Sequence, residues 1–220
     1  MPRERRGLRI LMLDWPEYGK LLVALWALVN PLGAVPFFLS LTESRPAARR
    51  HIGSVASAAM GIILIRSVLV GQALLLAFGI TIPSFRVAGG LLILVTALAM
   101  MHTPERGAEE KLEHCQDTTA DDGVAVVPLA IPILAGPGAI STVITYAHMS
   151  ASLLHQLLIC TVIVAIALST LVVFRLALGI ASRVGRTGMR IFTQIMGLLI
   201  ASIAVEFITQ GLAEIFPGWC

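Results

Sequence analysis

Two segments combine prolines and glycines with apolar surroundings, and together they could bind a small polar ligand. Residues 30–36 read Asn-Pro-Leu-Gly-Ala-Val-Pro, and residues 128–140 contain three prolines and two glycines. An interior proline removes a backbone N–H and crowds the carbonyl four residues back, at a cost of about 3 kcal/mol. Inside a membrane, such freed backbone groups must face protein or a water-filled cavity. Each segment is therefore predicted to break a helix and to form part of a ligand-binding site.

The chemistry of such a site follows from the backbone groups that a break exposes. Bare carbonyls accept from an ammonium group or coordinate Na⁺, and the N–H groups that open the next half-helix bind a carboxylate. Asn30 lies at the middle of the apolar run 21–41 and adds a polar side chain. A site without charged side chains favours a small neutral zwitterion. The alternative is that these prolines only kink helices, as is common in membrane spans.

Two charged residues lie within apolar spans, Arg66 and Glu206. Burying a guanidinium inside the bilayer costs at least about 2.5 kcal/mol of free energy. Arg66 is therefore either a counter-charge in a transport path, with Glu206 as its partner, or a long side chain that extends to the membrane surface. Glu206 is either a proton-coupling carboxyl or a protonated acid hydrogen-bonded between helices. The sequence leaves both alternatives open.

No catalytic or metal-binding motif is present. The three cysteines are scattered, and the histidines lack the spacing of a metal site. We therefore expect no enzymatic activity, no metal and no cofactor, with Na⁺ or H⁺ as the coupling ion of a carrier. The net charge of +3 has no motif for nucleic acid beside it. The expected partners are a small-molecule substrate, membrane lipids and, compatibly with the sequence, further copies of the chain.

The composition requires a membrane fold to position these residues. Hydrophobic residues make up 57% of the 220 residues and charged residues only 13%, with a mean hydropathy of +0.88. Soluble domains carry about 25% charged residues. At about 20 residues per span, this length accommodates six helices. The predicted fold is an all-α polytopic membrane protein with six transmembrane helices.

The spans divide into two halves with weak internal similarity. Gly-Ala-Val at Gly33 matches Gly-Ala-Ile at Gly138, and Gly-Leu-Leu-Ile at Gly90 recurs at Gly197, with offsets of 138 − 33 = 105 and 197 − 90 = 107. Because each half holds three spans, the second must enter the membrane the opposite way round. We expect two inverted three-helix repeats with broken first and fourth helices, over residues 21–101 and 124–216, after a polar segment 1–20 and joined by an acidic loop 102–123.

Basic residues suggest an orientation. The loops after spans one, three and five hold eight Lys or Arg residues, including a predicted basic loop at Arg183, Arg186 and Arg190, and the opposite side holds six, Arg86 among them. Positive-inside counting narrowly favours cytoplasmic basic loops and both termini outside. The predicted location is a bacterial inner membrane with periplasmic termini.

Residues 30–42 and 128–140 resemble the two characteristic segments of the MarC family of bacterial inner-membrane proteins. Residues 85–92 and 196–199 are also similar to that family, so the resemblance extends from about residue 20 to residue 216. It implies six spans and a carrier of small neutral amino acids of the alanine and glycine class. A membrane protein that acts in assembly or in contacts with lipids and partners, without transporting, is the alternative.

The resemblance also implies which residues form the substrate site. They are Asn30, Pro31, Gly33, Pro36, Pro132, Gly136, Pro137 and Gly138. Two positions depart from the pattern expected of relatives. Glu206 stands where glutamine is usual, which favours a proton as coupling ion, and Ala99 stands where a charged residue is frequent.

Overall fold

The computed structural model describes residues 15–43, 46–102, 134–150 and 152–217, and within these ranges the chain forms helices and no strand. We number the helices in chain order. They are α1 (Trp15–Val29), α2 (Val35–Leu41), α3 (Arg49–Ala77), α4 (Ile82–His102), α5 (Pro137–His148), α6 (Leu153–Arg175) and α7 (Ala177–Ile215). The predicted acidic loop and Pro132 lie outside the described residues.

Four of the described helices are long and apolar enough to cross a membrane. They are Arg49–Ala77, Ile82–Met101, Leu153–Arg175 and Thr187–Ile215, the last being the longer part of α7. Many of their large apolar side chains face outward, as expected for helices that contact lipid rather than water. The chain is therefore an all-helical integral membrane protein.

The first span is broken as predicted. α1 ends at Val29 and α2 begins at Val35, with a tight turn between them. Pro36 occupies the first turn of α2, where proline costs no hydrogen bond because the first N–H groups of a helix have no partner within it. The two half-helices share one apolar run, and the break lies at its middle.

The second proline-rich segment is described only from Leu134 onward. Gly136 is the N-cap of α5 in an extended conformation, and Pro137 follows at the first helical position. The first half of the predicted fourth helix, upstream of Leu134, lies outside the described residues.

The predicted basic loop between spans five and six is wrong. α7 is helical from Ala177, and only Gly185 departs from helical geometry, with φ 68° and ψ 173°. Glycine adopts positive φ at no steric cost, so the chain kinks at Gly185, between Arg183 and Arg186, without forming a loop. Charge density predicted a loop, but the residues there also have adequate helix propensity.

α4 and α7 cross antiparallel at close approach. A Cβ placed on Gly90 would lie 3.0 Å from the carbonyl oxygen of Ala204, and a Cβ on Gly197 would lie 3.1 Å from that of Ala97. The absence of a side chain at these two glycines lets the helices approach this closely. In the second large interface, α3 packs against α6.

The buried side chains form two groups. The smaller lies between α1, α4 and α7 and contains Ala27, Ile93, Ala97, Ile200, Ala204 and Phe207. The larger joins α1, α2, α3, α5 and α6 and includes the ends of both broken segments. The two half-helices α2 and α5 therefore pack in the interior of the protein.

Candidate functional site

The first break is built around the Asn30 side chain. Asn30 has a φ of 43°, a left-handed conformation that asparagine tolerates better than most residues. Its Oδ1 accepts the amide hydrogen of Gly33 at 3.1 Å, and its own carbonyl accepts that of Ala34 at 3.1 Å. The amide of Val35 donates to Leu32. Consecutive N–H groups after the break are thus satisfied within the turn.

The Nδ2 group of Asn30 makes only a weak hydrogen bond. Its recorded contact is Sδ of Met100 at 3.9 Å, and a thioether is a weak acceptor. Asn30 is 2% exposed. The buried amide therefore retains most of its donor capacity.

The second break presents backbone groups instead of a side chain. α5 begins at Pro137, and no side chain caps it. The N–H groups of Gly138 and Ala139 have no acceptor within the helix, because the first turn of any helix leaves its N–H groups unpaired. Both residues are buried. A carboxylate is the ligand that such a buried helix start binds best.

Gly138 permits a close contact with α4. A Cβ there would lie 2.4 Å from Cγ1 of Ile93, so no larger residue fits without a shift. Ile93 belongs to the smaller buried group, between α4 and α7. The second break is therefore held against a helix of the first half of the chain.

The structure brings the ends of the two breaks into one neighbourhood. Val29 and Val35 on the first segment belong to the same buried group as Leu134, Ala135 and Ala139 on the second. A small cavity of about 20 Å³ is lined by residues of both segments, among them Ala34 and Leu134. That volume accommodates about one water molecule.

The remaining site residues divide by exposure. Pro31 is buried with Asn30 and Gly138, Gly33 and Gly136 are half-buried, and Pro36 and Pro137 are exposed. The exposed prolines thus shape the start of each half-helix from its outer side. Pro132 is not described.

Arg66 and Glu206 are not paired with each other. Both side chains are exposed, and the ion pairs among the described residues are Lys20–Glu17 and Arg86–Glu214. The Glu206 carboxylate accepts instead from Nε2 of Gln210, one turn along α7. Neither charge faces the breaks.

A second polar location was missed by sequence reasoning. Arg86, 7% exposed, forms an ion pair with Glu214 from the far end of the chain. Both line a cleft of about 670 Å³ between α4, α5 and α7, together with Ile82, Pro83, Thr145, His148, Met149 and Gln210. From the sequence, Arg86 counted toward the topology and lay within a segment that resembles the family, but its pairing was not predicted, because a contact across 128 residues leaves no local pattern.

The comparisons with known proteins place this architecture in context. A family described as MarC family integral membrane protein matches residues 15–216. The UPF0056 membrane protein YhcE of Escherichia coli is 37% identical over 206 residues, covering 93% of this chain and 96% of the relative. A UPF0056 membrane protein of Methanocaldococcus jannaschii is 36% identical and covers 86% and 92%. The protein YvbG of Bacillus subtilis is 34% identical and covers 89% and 93%.

No solved structure matches the chain. The fold therefore rests on the helices described above.

Proposed function

This chain belongs to the MarC family of integral membrane proteins, and from that premise we propose that it is a secondary transporter of small neutral amino acids. Alternating access would move two inverted halves around the two breaks. We place it in a bacterial inner membrane with both chain ends on the periplasmic side. Asn30 and the start of α5 would bind the substrate.

The observation that carries this proposal is that two unlike breaks are flanked by residues of the same buried group in the protein interior. The amide of Asn30 offers a polar side chain, and the start of α5 offers the N–H groups of Gly138 and Ala139. A zwitterion needs partners of opposite character for its carboxylate and its ammonium group. Helix breaks that face each other are a known way to supply both without charged side chains.

Repeated contacts support the inverted arrangement. Gly90 approaches the Ala204 carbonyl and Gly197 approaches the Ala97 carbonyl, and both pairs are related by the same offset, since 197 − 90 = 107 and 204 − 97 = 107. A contact and its exchanged copy are what a two-fold axis between repeats produces. Such an axis in the membrane plane relates inverted halves.

Each large interface joins one helix from each half. α4 packs on α7 and α3 packs on α6, so each helix faces its counterpart in the other repeat. Rocking of one half against the other would slide these interfaces while the breaks remain central. This is the motion by which carriers with inverted repeats alternate their access.

A non-transporting role is supported by two observations. The small cavity beside α2 holds only about 20 Å³, and Oδ1 of Asn30 is already bonded to Gly33. Both facts suit a break that only packs helices, and they also suit a carrier in an occluded, substrate-free state. Transport measurements separate the two.

The test is counterflow of labelled alanine and glycine in proteoliposomes, under separate sodium and proton gradients. Asn30→Asp is the sharpest variant, because it retains the oxygen that accepts from Gly33 but replaces the Nδ2 donor. We expect it to lose counterflow while remaining folded. Wild-type transport by this variant would remove the Asn30 amide from the site.

Glu206→Gln tests the coupling ion in the same assay. If Glu206 carries the coupled proton, the variant retains counterflow but no longer accumulates substrate under a proton gradient. Unchanged accumulation would exclude Glu206 from coupling. If folded wild-type protein catalysed no counterflow with either substrate, the carrier proposal would fail for this class.

A further inference from the structure

The cleft between α4, α5 and α7 has the character of a second binding site. It lies where α4 begins and where α5 and α7 end, on the side of the protein that carries both ends of the described chain. Its lining combines a cation, an anion and hydroxyl and amide groups, whereas the small cavity beside α2 is lined by apolar residues. The two locations therefore have different chemistry.

Two donors buried at this cleft lack acceptors among the described residues. They are Nε of Arg86 and Oγ1 of Thr145. Arg86 is 7% exposed and Thr145 is 2% exposed, so neither is hydrated like a surface group. Leaving a buried donor unpaired costs about 1–3 kcal/mol, and more for a charged group. A ligand that accepts from both would remove this penalty.

The contact between α4 and α5 below the cleft explains why no acceptor from these two helices reaches the two donors. Gly89 lies one turn after Arg86, and a Cβ there would be 1.9 Å from Oγ of Ser141, one turn before Thr145. α4 and α5 are therefore in tight contact at that level and diverge toward the cleft. The two donors lie where the helices separate.

The charges select the class of ligand. A planar guanidinium binds a carboxylate or a phosphate through two parallel hydrogen bonds, so the neighbouring charge of Glu214 decides between them. Glu214 is already paired with one Nη of Arg86 and is half-exposed at the cleft, so a phosphate dianion would meet repulsion. An ammonium group on the ligand would instead be attracted to Glu214.

We propose that this cleft binds a small zwitterion, with its carboxylate on Arg86 and Thr145 and its ammonium group beside Glu214 and Gln210. The site is separate from the helix breaks and its argument does not depend on transport. In a carrier, it would be an outer site that captures substrate.

The test is calorimetric titration of the full-length protein in detergent with L-alanine, propionate, ethylamine and phosphoethanolamine. We expect alanine to bind wild type at least about tenfold more tightly than each ligand that lacks one charge, because a hydrogen bond to a charged group contributes about 1.5–3 kcal/mol. Absence of alanine binding to folded wild type would overturn the proposal. So would tighter binding of phosphoethanolamine, which would indicate a lipid headgroup.

A matched pair of variants on one helix locates the binding. Thr145→Val removes a donor at the cleft, whereas Thr142→Val removes a hydroxyl that bonds to the Gly138 carbonyl at 2.8 Å and does not line the cleft. We expect the first to weaken alanine binding about tenfold and the second to leave it unchanged. Equal affinities would overturn the assignment.

Glu214→Gln tests the ammonium end separately. It retains Arg86 and neutralises the anion, so the preference for alanine over propionate should fall severalfold. An unchanged preference would show that Glu214 does not contact the ammonium group, against the proposal. Successful titration without counterflow would leave this site standing and remove the carrier.

Discussion

The two breaks differ in how they satisfy the backbone N–H groups that follow them. In the first, the Asn30 side chain and backbone satisfy the N–H groups that follow it. In the second, Ala135 occupies the position that corresponds to Asn30, since 135 − 30 = 105, and α5 starts without a side-chain cap. The N–H groups after the first break are satisfied within its turn, whereas the first N–H groups of α5 have no partner within the helix.

The half-helices also differ in how they contact the opposite half of the chain. Phe38 on α2 stacks on Phe174 of α6, with ring centroids 4.2 Å apart. Gly138 on α5 instead lies against Ile93 of α4. A stacked pair tolerates small shifts of the helices, whereas a glycine contact fixes the distance between them. The first break is thus held by its own turn and the second by its neighbours.

The largest effect should come from replacing the side chain that closes the first break. Asn30→Leu loses the bond to Gly33 and puts a branched residue at positive φ, so we expect a loss of about 2–4 kcal/mol in the free energy of unfolding. Asn30→Gly should lose about 1 kcal/mol, because glycine accepts this φ. Equal losses in denaturant titrations would contradict the role of backbone strain.

The conformation of Asn30 shows which features of the first break could be predicted from the sequence. Asn-Pro followed by Gly within an apolar run was enough to predict the break, since proline and glycine act locally. The positive φ and the bond to Gly33 were not predicted, because they depend on how the turn closes. The Arg86–Glu214 pair and the outward positions of Arg66 and Glu206 depend on helix rotation and packing, which a pattern of apolar residues this uniform does not determine.

The next largest effect should appear at the second break. Gly138→Ala forces a contact with Ile93 that packing must relieve, and overpacking of this kind costs about 1–3 kcal/mol. Ile93→Ala is itself destabilising because Ile93 is buried, but the double variant should lose less than the sum of the two single losses, because the atom that the new methyl group meets is removed. Thermal unfolding in detergent measures both. A double variant no more stable than the additive sum would show that this contact is not the cause.

A matched substitution sharpens the contrast between the breaks. At Gly33, a Cβ would meet Nδ2 of Asn30 at a distance that forces the side chain to move, so Gly33→Ala should disrupt the turn and cost about 1–2 kcal/mol. Asn30→Gly should remove this added cost, whereas Ile93→Ala should not. Rescue by Ile93→Ala would mean that the first break, too, is held by α4.

The aromatic contact of α2 should contribute less. Phe38→Leu keeps an apolar side chain in the larger buried group and loses the stacking on Phe174, which contributes about 0.5–1.5 kcal/mol beyond burial. We expect a loss near 1 kcal/mol by denaturant titration. Phe174→Leu should cost a similar amount, and the double variant should cost less than the sum. Additive losses would show that the stacked rings do not interact energetically.

The smallest effect on stability should come from substituting Met100, whose sulfur contacts Nδ2 of Asn30. Met100→Leu keeps the apolar volume and removes only a sulfur acceptor at 3.9 Å, so the stability loss should be below about 1.5 kcal/mol and close to zero. If the Asn30 amide is reserved for substrate, the variant should also keep wild-type counterflow. A large loss of stability would show instead that Nδ2 is structurally committed to Met100. Both ends of the Asn30 amide would then hold the turn, and the two breaks would differ less than their hydrogen bonds indicate.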